Sequence, residues 1–473
     1  MDVKLTKQSY ITFLEDGIPV ESLRRTLRDA MNITRQIGCR YIWIDSLCII
    51  QDSPEDWAVE ALTMKDVYGN TSCNIAALGD PGDGCFVKRN PLHFFPCYIG
   101  RKHPNGNSTY AFRYHNPVVD SREDDNGGPP LLRCGWVVQE KLLSTRVIYM
   151  GNPQIYWECT RYRRSEGLPV MEKSAPVVPF YNQLVCAKSD FRALCGQTPE
   201  SGGDKLQHEA QNMIDLLKCW MRMVSDYSKM NFTKKEDRFI AFAGVAEAIA
   251  AGRGWTYVAG TWKELWPFDL LWARTEPDPK PIDLRWREDR FKPMIPSWSW
   301  AFKISDSMSK ANPAVHFLPL RYQQLFDPVT RRLTTTSLAT VVDFSCPNFM
   351  TQHSLAGGKY CDIKLSLRGQ VLRGGVNTLI PLLGTSTCNV HVHWDVKHPP
   401  QNELLFLLLM RWTEFGDEQQ AGLVLMKQMA PVSRVKHQMY FRVGVWEDYS
   451  SQPRRGRRLL FADSVTEEVV HLC

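Results

Sequence analysis

The sequence lacks the motifs by which the commonest nucleotide-dependent and hydrolytic enzymes are identified. It contains no Walker phosphate-binding loop, no GxGxxG segment after a predicted strand and no GxSxG nucleophile motif. Kinases, classical dehydrogenases and α/β-hydrolases depend on those loops for phosphate binding or nucleophile geometry, so these classes have no support.

The cysteines also lack a pattern. The fourteen of them are scattered along the chain, and no two form a CxxC pair. No stretch of the signal-peptide type precedes them, so we expect reduced thiols in the cytoplasm and not a disulfide framework. The longest strongly apolar run, at 404–410, is far too short to cross a bilayer. These features predict a soluble cytoplasmic protein without a membrane span.

Neither sign of charge dominates the chain. Its 57 Lys and Arg residues against 51 Asp and Glu residues give a net charge of +6. This balance is too mild to indicate a nucleic-acid-binding protein, so we expect no nucleic-acid partner. With 44% hydrophobic residues over 473 positions, the chain is globular and long enough for two or three packed units.

The most informative pattern of predicted strands and helices lies at residues 40–79. The apolar run at 41–44 predicts a buried strand that ends at Asp45. The Ser-Pro pair at 53–54 predicts a helix start, because serine caps the first amide groups and proline suits the first helical position. A second apolar run at 73–78 predicts a second strand.

Strand, loop, helix and strand in that order form a βαβ unit, which predicts a parallel sheet. The helix would bury a stripe of four residues at helical spacing: Trp57, Ala61, Met64 and Tyr68. Ligands of such sheets bind beyond the carboxyl ends of the strands, where Asp45 would lie.

Four segments in a fixed order carry a family resemblance: YIWIDSLCIIQDSPEDW at 41–57, MKDVYGNTSCNIAA at 64–77, GWVVQEKLLS at 135–144 and QIYWEC at 154–159. Together they resemble the signature of the fungal heterokaryon-incompatibility (HET) domain. The resemblance implies an α/β domain, similar to TIR domains, with a mostly parallel sheet. The chain departs from the family pattern at its N-terminal end, since residues 1–17 contain no strand of the ALSYxWG type.

The resemblance implies a role in fungal non-self recognition and programmed cell death. Some TIR domains cleave NAD, so it also implies an NAD glycohydrolase, with NAD as the substrate and no further cofactor. A protein partner or self-association would fit the recognition role. One alternative stays open, because loss of a sheet strand could remove an ancestral NAD site from a folded scaffold. In that case a recruited family member would serve a fungal secondary-metabolic pathway as an accessory factor or small-molecule enzyme.

The implied reaction releases nicotinamide as a neutral amine, and a carboxylate near the developing oxocarbenium ion would assist it. The candidate catalytic carboxylates are Glu140, Asp45 and Glu60. Glu140 is preferred because Trp136 stands four residues before it, which places both on one helix face. Each of these carboxylates also has a non-catalytic interpretation. Asp45 could brace its loop, and Glu60 could be a solvated helix charge. Glu140 could likewise form an exposed ion pair with Lys141.

Four further residues are candidates for holding the dinucleotide. Trp136 would provide an apolar wall, and Gly135 before it would permit close approach of a ligand or another backbone. Arg133 and Arg146 could hold the pyrophosphate by paired hydrogen bonds. Cys48 would line the pocket, although a buried structural thiol is the plainer interpretation because no histidine stands near it in sequence.

The pattern of apolar residues divides the rest of the chain. We predict the HET domain at 1–164, a linker at 165–205, a helical segment at 206–305 and a β-rich region at 306–473. Helical spacing at 209–230 and the change to alternation after about residue 310 support this division.

Five apolar runs in the β-rich region predict strands at 363–367, 390–394, 404–410, 422–426 and 439–445. The second run places His391, His393 and Asp395 on one face by two-residue alternation, a pattern typical of a His/His/carboxylate metal site. No closely spaced partner in the sequence completes the set. An exposed polar strand face is therefore the plainer interpretation, and we predict no metal.

Overall fold

The structure of the chain is a computed structural model. It describes residues 3–79, 82–90, 97–102, 106, 108–111, 129–151, 154–160, 163–167, 188–196, 205–234, 237–266, 268–275, 296–301, 314–318, 336–337, 339–345, 364–375, 390–395, 403–414, 417–427, 438–448 and 465–472. The chain forms two compact units. Unit 1 comprises Met1–Arg192 and Met230–Ala248, and unit 2 comprises Ala193–Lys229 and Ile249–Cys473.

Unit 1 begins with short helical elements. Helix α1 spans Tyr10–Glu15, a 3-10 turn spans Val20–Ser22, and helix α2 spans Arg25–Gln36. Gly38 follows α2 with a φ of +80°, and its amide and the next one bond carbonyl groups of the last helical turn. Glycine ends helices in this way because it adopts the left-handed conformation without a steric penalty.

The predicted strand at 41–44 is absent among the described residues. Ile44 is extended, with φ −134° and ψ 118°, but no described strand pairs with it. Its carbonyl instead accepts hydrogen bonds from the amides of Leu47 and Cys48, both at 2.9 Å. The chain therefore turns directly into the short helix α3, Asp45–Cys48, and the predicted βαβ unit that began at 41–44 is wrong.

Helix α4, Pro54–Asn70, confirms the predicted helix start. The Asp56 amide donates to Ser53 Oγ at 3.4 Å, and Pro54 occupies the first turn. Ala61 and Met64 from the predicted stripe are buried, so this face of α4 packs inward.

The remaining elements of unit 1 up to residue 165 are a 3-10 turn at Pro130–Arg133, helix α5 at Trp136–Leu143, and the strands β1 Asn74–Ala77, β2 Cys97–Lys102, β3 Ser108–Ala111, β4 Arg146–Met150, β5 Ile155–Cys159 and β6 Arg163–Ser165. Strands β2 and β3 pair with each other. The main sheet has the order β1-β4-β5-β6.

This main sheet is mixed, and the predicted mostly parallel sheet is not confirmed. Strands β1 and β4 are parallel, with a crossover that contains α5, whereas β4–β5 and β5–β6 are antiparallel. The physical reason is the length of the connections. Only a few residues separate β4 from β5 and β5 from β6, and such short links join antiparallel neighbours.

A hydrophobic cluster fixes the segment before α5 against this sheet. Leu132 packs there with buried side chains of β1, β4, β5 and the residue after β1: Ala76, Leu78, Val147, Tyr149 and Tyr156. The amino end of α5 is therefore anchored by packing on one side.

Three helices follow in the chain: α6 Lys188–Leu194, α7 Lys205–Ser228 and α8 Asp237–Arg253. Helix α6 lies within the predicted linker at 165–205, while 168–187 and 197–204 lie outside the described residues. Residues 237–248 of α8 belong to unit 1 and the rest of that helix to unit 2.

Unit 2 contains a buried cluster of tryptophans. Its short strands are β7 Tyr257–Val258, β8 Thr261–Trp262, β9 Trp272–Arg274 and β10 Val315–Phe317, with 3-10 turns at Lys263–Leu265 and Phe268–Leu270. Trp220 and Trp262 are fully buried and pack edge to face at 5.5 Å. The carboxylate of Asp269 accepts hydrogen bonds from Trp220 Nε1 and from the Trp262 amide, each at 2.8 Å.

The β-rich part of unit 2 consists of β11 Thr336–Ser337, β12 Thr340–Ser345, β13 Lys364–Gly375, β14 Val390–Trp394, β15 Glu403–Glu414, β16 Asp417–Lys427, β17 Met439–Asp448 and β18 Thr466–Leu472. All five predicted strands are confirmed, as β13 to β17. The sheet order is β11-β15-β16-β17-β18-β13-β12, and β13 pairs with β15 as well. In the described parts of the chain, we find no helix with the length and apolar character needed to cross a membrane.

Candidate functional site

Helices α4 and α5 bring together the residues with the clearest chemical potential. Trp136 and Glu140 lie one helical turn apart on α5, as predicted. The Trp136 ring meets the Trp57 ring of α4 edge to face at 6.4 Å. The Glu140 carboxylate is hydrogen-bonded by the side chain of Tyr68, also on α4, and by that of Asn74 at the start of β1.

Asp45 faces the same carboxylate from α3. Its side chain is exposed, and its Oδ1 accepts a hydrogen bond from the Ser46 amide at 2.7 Å. Its charge also acts on Glu140. Asp45 therefore braces its own loop, in agreement with the plainer interpretation, and its catalytic role stays a prediction.

The Glu140 carboxyl group is adapted to proton exchange near neutral pH. Burial raises its pKa to about 7, and the negative charge of Asp45 acts in the same direction. The hydrogen bonds from Tyr68 and Asn74 oppose this shift because they stabilise the ionised form. At neutral pH the group therefore exists in both protonation states in comparable amounts.

Tyr68 stays protonated beside it. Burial raises the pKa of the phenol, and the charges of Glu140 and Asp45 raise it further. The hydroxyl is thus the donor in the hydrogen bond with Glu140. The Tyr68 ring packs edge to face against Trp43 at 5.8 Å, which holds the phenol in place.

Two cysteines border this cluster, and neither is activated as a nucleophile. Burial raises the pKa of the Cys134 thiol, and the nearby charges of Glu140 and Asp45 add to the shift. Cys48 is exposed as a residue, which contradicts the buried structural thiol, but partial enclosure of its sulfur and the charges of Asp45 and Glu60 raise its pKa as well. Both thiols therefore stay neutral at physiological pH, whereas nucleophilic attack requires the thiolate.

Glu60 lies on the Cys48 side of the cluster. It is partly buried on α4, and Thr63 Oγ1 donates to its carbonyl at 3.0 Å and to its carboxylate at 3.4 Å. Its charge acts on Cys48. The catalytic role of Glu60 stays a prediction.

The two predicted arginines occupy separate positions in the fold. Arg146 begins β4, is exposed, and donates from Nη1 to the Ser72 carbonyl at 3.3 Å. Arg133 ends the 3-10 turn before α5, and its carbonyl accepts from the Asn231 amide at 2.7 Å. Their joint binding of a pyrophosphate stays a prediction.

The cluster lies at the amino end of β1, whereas the sequence pattern placed the site beyond the carboxyl ends of strands. Asn74 is the first residue of β1 and pairs with Val147, the second residue of β4. The expectation failed because it depended on a strand at 41–44 that does not form. We call Glu140, Asp45, Tyr68, Asn74 and Cys134 the Glu140 site.

The suggested exposed ion pair between Glu140 and Lys141 is wrong. Lys141 is buried, and its Nζ lies 3.7 Å from a carboxylate oxygen of Glu158, which also accepts from the Tyr149 hydroxyl at 2.9 Å. Adjacent residues on a helix point about 100° apart, so Lys141 faces the sheet while Glu140 faces α4.

Sequence reasoning missed Tyr68, Asn74 and Cys134 as members of the site. Tyr68 belongs to the apolar stripe of α4, where its ring packs. The helical spacing predicts the position of the ring but not the partner of its hydroxyl group. Asn74 offered a signal in hindsight, since an amide that opens a buried strand needs a hydrogen-bond partner.

His393 and Asp395 of the predicted polar face have partners within unit 2. His393 Nε2 lies 2.6 Å from Glu447 Oε1, and Asp395 pairs with the buried Arg442 at 3.2 Å. Among the residues that the structure describes, no three His, Cys, Asp or Glu side chains are grouped to hold a metal ion.

Comparison with known proteins agrees with the sequence motifs. Residues 4–140 match a family model described as Heterokaryon incompatibility protein (HET). No curated protein and no solved structure matches the chain. The matched residues end at Glu140 and include every member of the Glu140 site. The chain therefore contains a heterokaryon-incompatibility (HET) domain within residues 4–140, a match that includes the motifs at 41–57 and 64–77 and the first six residues of the motif at 135–144.

Proposed function

We propose that this HET domain cleaves NAD between nicotinamide and ribose, with Glu140 as the catalytic carboxylate, and that the reaction serves non-self recognition and cell death in a fungus. The HET domain supports a heterokaryon-incompatibility-type function at the level of the family. The observation that carries the chemistry is a glutamate with a pKa of about 7 between a tyrosine, an asparagine and an aspartate.

The reaction needs a negative charge more than it needs an acid. When the bond from the ribose carbon to nicotinamide breaks, nicotinamide leaves with the electron pair as a neutral molecule, and positive charge develops on the ribose. Ionised Glu140 would stabilise that charge. Water then attacks the ribose carbon, and the proton that it loses passes to Glu140, whose pKa of about 7 suits a general base at neutral pH. The products are ADP-ribose, nicotinamide and one proton.

The neighbours of Glu140 have roles that fit this reaction. Trp136 and Trp57 form an aromatic wall on the same helix faces. Asp45 is exposed beside the carboxylate, where it would accept a hydrogen bond from a ribose hydroxyl. Tyr68 and Asn74 hold the carboxylate in one orientation, which positions its charge before substrate binds.

The test is nicotinamide release from NAD by the purified full chain. Glu140→Gln keeps the size of the side chain but removes the charge, so turnover should fall about a hundredfold or more. Glu15→Gln, on the exposed end of α1, is the matched control and should keep wild-type turnover. A folded wild type that releases no nicotinamide would overturn the proposed reaction, and release that survives Glu140→Gln would overturn the choice of residue.

A further inference from the structure

The segment 230–248 belongs to unit 1, although about 90 residues separate it from the end of the HET family match. It contains the α7–α8 connection except its first residue, together with the first twelve residues of α8. Its contacts converge on α5, the helix that carries Glu140.

At the amino end of α5, the segment adds hydrogen bonds and fills space. The Asn231 amide donates to the Arg133 carbonyl at 2.7 Å, and the Gly135 amide donates to the Asn231 carbonyl at 2.9 Å. The Phe232 ring occupies the place of a side chain at Gly135, where an added Cβ would overlap the ring. The close approach that Gly135 permits is therefore that of Phe232.

In the middle of α5, Gln139 joins three helices. Its side chain is buried, with 1% exposed, and precedes Glu140 directly. Its amide nitrogen donates to the Ala241 carbonyl of α8 at 2.8 Å, and its oxygen accepts from the Lys65 amide of α4 at 3.2 Å. One side chain thus ties α5 to both neighbours.

Two further features keep α8 close at this point. Lys65 Nζ lies 2.5 Å from Glu247 Oε2, which links α4 to α8. An added Cβ at Gly244 would lie 2.8 Å from Lys65 Cβ and 2.9 Å from the end of the Gln139 side chain, so only glycine allows this approach.

We infer that residues 230–248 are a second, non-contiguous part of the Glu140 site, and that Gln139 is the positioning residue through which they orient Glu140. The contacts themselves are independent of the reaction, and the catalytic consequence rests on the proposed function. A HET domain cut at the end of the family match would lack this part.

The test uses the full chain with three variants. Gly244→Ala drives a methyl group against Gln139 and Lys65, and Gln139→Met keeps the length of the side chain but removes its hydrogen bonds. Gly69→Ala is the matched control, because a Cβ at that position of α4 meets nothing within 4 Å.

The first readout is independent of NAD cleavage. The free energy of unfolding is measured against pH for wild type and for each variant, and again for the same chains carrying Glu140→Gln. The difference between each chain and its Glu140→Gln counterpart reports the titration midpoint of Glu140. A displaced α5 buries Glu140 less, so the midpoint should fall toward the ordinary value of a glutamate, by about one pH unit, in Gly244→Ala and Gln139→Met. It should not move in Gly69→Ala.

The second readout is the pH profile of nicotinamide release, whose midpoint should move in the same direction. Midpoints equal to wild type in both folded variants would overturn the inference. Failure of both variants to fold, beside a folded Gly69→Ala, would assign a purely structural role and overturn it as well. Shifted midpoints in unfolding without any nicotinamide release would uphold the positioning role and discard only the proposed reaction.

Discussion

Glu140 and Tyr68 form a hydrogen bond that joins α5 to α4 across the site. The phenol is the donor, because burial and the nearby carboxylates raise its pKa and keep it protonated. The carboxylate of Glu140 is the partner that changes its protonation state near neutral pH. The pair therefore links the electrostatics of the site to the packing of two helices.

Replacing Tyr68 by phenylalanine should raise the pKa of Glu140 further. The lost hydrogen bond stabilises the ionised carboxylate, and a bond worth about 1 kcal/mol corresponds to about 0.7 pKa unit. The rising limb of nicotinamide release against pH should move to higher pH by that amount. Tyr10→Phe, at an exposed tyrosine of α1, serves as the control. A limb that stays in place would show that the hydrogen bond has no electrostatic role.

Asp45→Asn should shift the same limb the other way. It removes a negative charge that raises the pKa of Glu140, while the amide oxygen can still accept from the Ser46 amide. We expect a downward shift of about half a unit at low salt, and less at high salt because Asp45 is exposed. Asp66→Asn on the exposed side of α4 is the control. An upward shift in the Asp45 variant would contradict this account of the site.

The raised pKa of Glu140 also predicts how stability depends on pH. A carboxyl group whose pKa is higher in the folded state binds its proton more tightly there, so protonation favours folding. Its contribution is fully present below about pH 4.5 and is lost as pH rises through about 7. Over that interval, wild type should lose about 3 kcal/mol more of its free energy of unfolding than Glu140→Gln. Parallel stability curves for the two chains from pH 4 to 8, measured by urea unfolding, would refute the assignment.

Asp395 forms an ion pair in unit 2, whereas its spacing from His391 and His393 is typical of a metal ligand. Its partner Arg442 is fully buried, stacks on the Trp272 ring at 3.3 Å and donates to the Leu270 carbonyl at 3.0 Å. Asp395→Ala leaves that guanidinium without its counter-charge and should cost about 3–5 kcal/mol of stability.

The control for this variant is His391→Ala, at an exposed position of β14 four residues earlier, which should change stability by less than about 0.5 kcal/mol. Thermal unfolding followed by tryptophan fluorescence measures both. A chelator-dependent loss of stability in wild type, equal in size to the Asp395→Ala effect, would restore the metal interpretation.

Local signals predicted local structure well. Ser53 and Pro54 start α4 as their chemistry requires, and alternation of apolar residues located all five strands β13 to β17. These features depend on side chains within one element or on one buried face, which a single sequence records directly.

Sequence-based predictions were wrong where contacts with residues distant in the sequence determine the local structure. Residues 41–44 have the composition of a strand, but an extended segment becomes a strand only when a neighbour supplies hydrogen bonds, and here the chain turns into α3. The space at Gly135 was assigned to a ligand or backbone, whereas Phe232, almost 100 residues later, fills it. The mostly parallel sheet is not confirmed, since the links around β5 are too short for crossovers.

Part of the arrangement around Glu140 follows from the sequence. The charge of Asp45 acts on Glu140, and Trp136 lies one helical turn before Glu140 on α5, while the catalytic roles of these residues stay predictions. Tyr68, Asn74 and Gln139 were not identified, because a polar atom on an otherwise packed side chain reveals its partner only in three dimensions.

The most direct test of the central claim is the pH dependence of kcat/KM for nicotinamide release by the full chain, from pH 5 to 9, because this ratio reports the pKa of groups in the free protein. If Glu140 acts as an ionised carboxylate, kcat/KM should rise through a single midpoint near pH 7, the pKa of Glu140, and reach a plateau above it. In Glu140→Gln the residual rate should be about a hundredfold lower at the plateau and should not rise through that midpoint. A wild-type profile that is flat across pH 7, or a midpoint that persists in Glu140→Gln, would contradict the account.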